Sequence, residues 1–301
     1  MAAALPGNIR LKLEQTLAQW RQWDCHPGLP GAPTVVGLLT RGLSNYSVLV
    51  EAGRRFVVRI DGINPAAHSL NRQGEWHSLG AAHRAGLAPA PRYFNPELGS
   101  LVCDYLEPDA LQPLTVADVA TLLHDIHQLP ARHHRLDLAE RLLGYEKRAA
   151  QHQPVPAARL SALRPAVMRA LSRAQWGQHP TVLCHHDLLR ANRLYSAGRL
   201  YALDWEYSAM GSRWYDLAVV AAGDAMTPEQ VDTLLQVYLG RTASAAERQS
   251  VERYGCVYRY LELLWYLAQD HPGLGPLLPE ERLAGLTTAL ERADQHPTTP
   301  A

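Results

Sequence analysis

A chain of 301 residues is long enough to bury a sizeable core, either as two domains or as one unit with a cleft. Its 29 lysines and arginines balance 29 aspartates and glutamates, so no net charge favours nucleic acid or an anionic membrane, and any charged ligand must be caught by local groups. The four cysteines, Cys25, Cys103, Cys184 and Cys256, are scattered without a C-x-x-C pair, which argues against a zinc knuckle or disulfide framework and fits a reducing compartment. MAAALPGNIR has no basic segment ahead of its short apolar run, and no apolar run nears the roughly 18 residues that cross a bilayer. The expectation is a cytoplasmic protein with no membrane or nucleic-acid partner; the oligomeric state is not legible.

Taken in chain order, residues 8–23 place Ile9, Leu11, Leu13, Leu17 and Trp20 close to a helical stripe, which CHPGLPGAPT ends. From Thr34 to Ile60 the pattern becomes β-like: VVGLL, YSVLVEA and RFVVRI are separated by the turn signals RGLSN and AGR. A helix is predicted over 69–85, followed by two short strands, APRYF and SLVCDYL, joined by NPELG. After Leu106 the chain reads as mostly helical. TVADVATLLHDIH opens on a threonine cap, and further helices are predicted over 138–151, 156–175, 228–239, 244–270 and 279–293. Strand-like pieces interrupt them only at TVLCH, NRLYS and RLYALDW, the last two forming a hairpin over AG. The fold class expected is α+β: a β-rich N-terminal lobe over 1–105 and a helical C-terminal lobe over 106–301, the latter holding the polar stretch 182–206.

That stretch, VLCHHDLLRANRLYSAGRLYALDWE, concentrates costly polar groups. The five-residue gap from Asp187 to Asn192 lets one short loop aim both side chains into one cavity, and the hairpin returns Asp204 to the same edge. Asn192 and Asp204 offer the oxygen ligands that suit a hard cation such as Mg²⁺, which takes few protein ligands plus substrate phosphates. Asp187 is then free to accept a proton from a substrate hydroxyl. This is a phosphoryl-transfer arrangement, in which positioning and charge neutralisation carry most of the catalysis.

H-x-D-x-x-x-x-N at His185, Asp187 and Asn192, followed by D-W-E at 204–206, resembles the catalytic loop and metal-binding aspartate of the aminoglycoside and choline phosphotransferases, which have a bilobal protein-kinase-like fold. R-G-L-S-N-Y at 41–46 is similar to the phosphate-covering loop of choline-kinase-like proteins, F-V-V-R-I at 56–60 to their third strand with Arg for Lys, and N-R-x-x-E at 71–75 to the helix that supplies the paired glutamate. L-L-H-D-I-H-Q-L-P at 122–130 and D-L-A at 216–218 match further family segments, so the resemblance runs from about 36 to 270. It implies ATP between the lobes, the adenine near the backbone of Asp104 to Leu106, and the phosphates under Gly42, Ser44 and Asn45, with Arg59 held by Glu75. Mg²⁺ would be held by Asn192 and Asp204, with Asp187 as base. His185 would support the loop from beneath, and His186 stands where the family usually has glycine. A metal hydrolase built on the paired histidines is the weaker alternative, because adjacent residues of an extended segment point to opposite faces. His124 and His127 read as helix-end residues, His127 favoured by the local dipole.

The resemblance also implies an aromatic and acidic acceptor pocket after D-W-E, drawn from Trp205, Glu206, Tyr207, Trp214, Glu262 and Trp265. Glu262 and Trp265 lie three apart on one helical face. A small cationic alcohol, choline or ethanolamine, is the expected substrate, with thiamine next, an aminoglycoside or sugar behind them, and a non-catalytic scaffold as the reading outside enzymology.

Overall fold

The computed structural model describes residues 5–41, 44–65, 70–110, 113–175, 180–269 and 280–295. The chain divides into two compact units, Met1–Gln112 with Arg193–Ser208, and Pro113–Asn192 with Ala209–Ala301.

The first unit opens with helix α1 (Gly7–Ala18) and strands β1 (Thr34–Arg41), β2 (Asn45–Glu51) and β3 (Arg55–Asp61). Helix α2 (Arg72–Arg84) and strands β4 (Pro91–Asn95) and β5 (Ser100–Asp104) follow. The five strands form one antiparallel sheet in the order β1-β2-β3-β5-β4. Alternation along β3 decides what each face does: Phe56, Val58 and Ile60 are fully buried in a core shared with Ile9 and Leu13 of α1, Trp23, Val48, Val50 and Val102. Arg59 and Asp61 therefore point to the other face of the sheet. Helix α2 is started by Asn71, whose side chain accepts from the Gly74 N–H at 2.8 Å, and this cap sets Arg72 and Glu75 one turn apart on the same face. Trp76 of α2 stacks on Phe94 of β4 at 5.5 Å, fixing the helix against the sheet.

The chain then contributes α3 (Val116–His127), α4 (Leu138–His152), α5 (Pro154–Ser161), α6 (Arg164–Ala174) and β6 (Val182–Cys184) to the second unit. It rejoins the first unit for the hairpin β7 (Arg193–Ser196) and β8 (Arg199–Ala202). Ala197 and Gly198 both have positive φ, 49° and 72°, the conformation a two-residue hairpin turn requires, and the Asp109 carboxylate accepts from both their N–H groups. The Ala202 N–H donates to Leu87 O at 2.8 Å and the Asp109 N–H to Tyr195 O at 2.9 Å. These bonds correct the expected boundary at 105/106: the segment up to Gln112 and the hairpin go with the sheet, not with the helices.

Strand β9 (Ala209–Gly211) pairs antiparallel with β6, and α7 (Arg213–Gly223), α8 (Pro228–Leu239), α9 (Ala245–Leu267) and α10 (Glu280–Gln295) complete the second unit. Helix α3 begins at the expected threonine cap, Thr115, and Asp118 completes it as a capping box. The single helix expected over 156–175 is two, α5 and α6, the second beginning with Pro165 in its first turn. Helix α7 was not anticipated. It is buried on nearly every side, through Trp214, Tyr215, Leu217, Ala218, Val219 and Val220, so it has no polar stripe for periodicity to reveal. No helix among the described residues is long and apolar enough to cross a membrane.

Candidate active site

In the sheet unit, the face of β3 opposite the core carries a closed set of charges. The Arg59 guanidinium donates from Nη1 and Nη2 to the two oxygens of Glu75, at 2.5 and 2.8 Å, and Nη1 also reaches Asp204 Oδ1 at 2.9 Å. Arg72 donates from Nε and Nη2 to Asp61 and from Nη1 to both Glu75 and Glu206. Asn45 Nδ2 donates to Glu206 Oε2 at 2.9 Å. Burial works against ionising Glu75, yet Arg59 and Arg72 outweigh it and hold that carboxyl below its usual range. Burial likewise opposes charge on Arg59, and Glu75 and Asp204 outweigh it. Asp204 behaves differently: burial, then the like charge of Glu206, push it up to about 7. Its backbone is in the left-handed region at φ 58°, which aspartate adopts more readily than most non-glycine residues.

The expected Arg59–Glu75 pair is thus present, and Asn45 and Asp204 belong to the same cluster. Gly42 lies outside the described residues. The Ser44 carbonyl accepts from the Gly62 N–H at 2.9 Å. At the expected adenine edge, the Asp104 carboxylate is held by Arg92 at 2.5 and 2.8 Å. The N–H groups of Asp104 and Tyr105 donate to Ala90 O and Arg55 O.

In the helical unit, Asp216 of α7 organises the loop after β6. Its carboxylate accepts from the backbone N–H groups of His185 and His186 at 2.9 and 2.7 Å, and from His127 Nε2 at 2.9 Å. Burial disfavours this fully enclosed charge, but the His127 hydrogen bond and the neighbouring histidines reverse the balance and hold it far below the usual carboxylate range. His127 also meets the Tyr238 hydroxyl through Nδ1 at 2.7 Å. It is the last residue of α3, as expected, and it is also a buried strut. His185 is fully buried beneath the loop.

His186 has φ 63°, which explains why glycine suits this position. Its ring packs on Tyr215 at a centroid distance of 5.6 Å and lies against Gly211, where a Cβ would come within 2.5 Å of Nε2. Asp187 follows directly, and Asn192 Nδ2 donates to both its backbone oxygen and Oδ2, at 2.8 and 2.9 Å. The Asn192 amide is oriented by this contact, leaving Oδ1 as its outward acceptor.

Of the residues expected around an acceptor, three are corrected by their burial. Trp205 is 1% exposed, with its indole N–H donating to Ala202 O, and Trp214 is equally enclosed in α7. Glu206, 5% exposed, is committed to Arg72 and Asn45. The two tryptophans cannot meet a ligand without unpacking the core, and Glu206 cannot without giving up its bonds to Arg72 and Asn45. Tyr207, Glu262 and Trp265 are half-buried. Glu262 is pushed up by burial and lies 3.4 Å from Arg282, and Trp265 meets Tyr266 edge-on at 5.2 Å. Arg72 and Asp61 are members of these networks that sequence reasoning does not single out, and neither does it show the bond from His127 to Asp216. The signal available for Arg72 was its place one turn before Glu75.

A sheet carrying a buried Arg–Glu pair, and a helical unit carrying an Asp–Asn loop strapped from beneath, define a protein-kinase-like enzyme. The chain belongs to the phosphotransferase enzyme family, whose description matches residues 36–252, and it is a phosphotransferase. Protein LicA of Haemophilus influenzae is 26% identical over 240 residues, 75% of this chain and 70% of that protein. The thiamine kinase of Escherichia coli O6:K15:H31 is 31% identical over 193 residues, 62% of this chain and 65% of that one. Among solved structures, choline kinase LicA from Streptococcus pneumoniae superposes with a TM-score of 0.71 at 24% identity, over 85% of this chain and 95% of that one, a likeness of fold.

Proposed function

We propose that this phosphotransferase moves the γ-phosphate of ATP to the hydroxyl of a small cationic alcohol, choline or ethanolamine first and thiamine second. The observation that carries the reading is the charge balance of the sheet-unit cluster. Asp61, Glu75, Asp204 and Glu206 set four carboxylates against the two guanidinium groups of Arg59 and Arg72. With all four ionised, two negative charges remain, and burial and the like charge of Glu206 push the Asp204 carboxyl up. A hard divalent cation with phosphate ligands answers such an imbalance, and oxygen donors are the ligands it takes. Asp204 would be such a donor to Mg²⁺ by this charge balance, and Asn192 by its side-chain oxygen and the sequence resemblance. When bound, that ion supplies neutralisation of phosphate charge.

The chain's own residues do the rest. Arg59, braced by Glu75, brings its guanidinium charge to the phosphate oxygens. Leu106 supplies backbone to the adenine, and Ser44 lies in the loop that covers the phosphates. Asp187 orients the acceptor hydroxyl and takes its proton, held in place by the Asn192 amide and by the loop that His185 and Asp216 support. Glu262 and Trp265 receive the cationic end; a cation over tryptophan beside a carboxylate gains about 2 kcal/mol when desolvated.

Thiamine remains the second reading for a specific reason. Glu262 can accept a donor that choline lacks, and the relatives identical at 31% are named thiamine kinases. Mg·ATP consumption by the purified protein against choline, ethanolamine, thiamine, kanamycin and simple sugars tests the proposal. Turnover with one cationic alcohol at a kcat/KM well above the others supports it; turnover only with kanamycin or a sugar, or with none, sinks it.

A further inference from the structure

We propose that Arg72 is a positioning residue for phosphate binding: its guanidinium fixes Glu75 and Glu206 together, and through Glu75 it sets the place of Arg59. The inference deepens the proposed function and rests on it.

The geometry shows how one side chain can serve both glutamates. Arg72 Nε and Nη2 grip the two Asp61 oxygens at 3.1 and 2.6 Å, a fork-to-fork contact that anchors the guanidinium to the end of β3. Asp61 is itself fixed. Its N–H donates to Gly99 O at 2.8 Å, and Gly99, at φ 63°, leaves only hydrogen where a Cβ would stand 2.8 Å from Asp61 Oδ2. With two nitrogens anchored, Nη1 is aimed between the carboxylates and donates to Glu75 Oε2 at 2.9 Å and Glu206 Oε2 at 3.0 Å. Arg59 Nη2 donates to that same Glu75 oxygen at 2.8 Å. Arg72 thus shares a carboxylate with the residue assigned to the phosphates, while only 7% exposed itself.

Removing the Arg72 charge would raise the uncompensated negative charge of the cluster from two to three and leave Arg59 its only guanidinium. Arg59 would then be drawn more tightly onto Glu75 and Asp204, and away from a phosphate. Lysine keeps the charge but cannot grip Asp61 with two nitrogens and still reach both glutamates, so it replaces Arg72 only in part.

The alternative is that Arg72 merely neutralises Asp61. The double variant Asp61→Asn/Arg72→Met separates the two, because it removes the buried pair without leaving an orphaned carboxylate at 61. Calorimetric titration with Mg·ATP, alongside steady-state kinetics with the best acceptor, gives the readout. The expected result for Arg72→Met is a Kd and KM for Mg·ATP raised about tenfold or more with the acceptor KM within about twofold, and for Arg72→Lys a partial return. The double variant should keep the raised Kd. Should the double variant bind Mg·ATP like the parent, or Arg72→Met lower only the active fraction with both KM values unchanged, the positioning role is overturned. Where Arg72→Met does not fold, the double variant and Arg72→Lys decide by the same measure. A parent that binds Mg·ATP but phosphorylates no acceptor overturns the proposed function while the Kd ratio still judges Arg72; a parent that binds no Mg·ATP overturns both.

Discussion

The two units hold their functional side chains by opposite means. In the sheet unit, Arg59, Arg72, Asp61, Glu75, Asp204 and Glu206 are fixed by one another, charge against charge, with little help from the backbone. In the helical unit, Asp187 is fixed by an amide and by a loop whose N–H groups are tied to the single buried carboxylate of Asp216. A cluster held mainly by ion pairs, with more carboxylates than guanidiniums, responds when a cation and phosphates arrive, because each added charge redistributes the pairs. A loop held through its backbone keeps the proposed base, Asp187, in place when a ligand binds. Damage to the first should therefore appear in nucleotide affinity, and damage to the second in turnover or in folding.

The largest effect belongs to the helical unit. Asp187→Asn removes the proton acceptor while preserving shape and the Asn192 contact on the backbone oxygen; turnover should fall by about two to four powers of ten, with a small change in Mg·ATP affinity. Asp216→Ala strands two backbone N–H groups and His127 in the interior. Urea denaturation should report a loss of about 3–5 kcal/mol with an unchanged m-value. Because the folded-state pKa of Asp216 is depressed, its stabilisation is fully present above the unfolded value of about 4 and is lost as pH falls from there through the folded value. The parent should accordingly lose stability with falling pH more steeply than Asp216→Asn below that point, measured by denaturation midpoints across the acid range.

Effects in the sheet unit should be smaller and of another kind. Arg59→Lys keeps the charge but loses the fork shared by Glu75 and Asp204; the Mg·ATP KM should rise by roughly tenfold, with kcat changed less. Smallest of all is Trp265→Leu, at a half-buried site, which should raise the acceptor KM about fivefold and leave the nucleotide KM alone. A kcat defect from Arg59→Lys with an unchanged nucleotide KM would break the contrast between the units.

How much of this was legible in the sequence follows from how local each signal is. Alternation on β3 put Arg59 off the hydrophobic face, the Asn71 cap set the phase of α2, and the spacing of Asp187 and Asn192 brought both onto one loop, where the structure joins them. Longer-range features were not legible. Arg72 at the first turn of a helix reads as a solvated end until Asp61 and Glu206, 11 and 134 residues away, close on it. The hairpin was assigned to the wrong unit because its anchors, Leu87 and Asp109, lie far back in the chain. Trp205 and Trp214 were mistaken for ligand contacts because an aromatic ring filling a core and one facing a cation are the same residue in a sequence; only burial tells them apart.

The division of labour between the units is tested most directly by titrating Asp187→Asn with Mg·ATP while following phosphate transfer in the same preparation. The account predicts a Kd within about threefold of the parent together with transfer reduced by about a hundredfold or more. Full transfer, or a loss of nucleotide binding as deep as the loss of transfer, would contradict it.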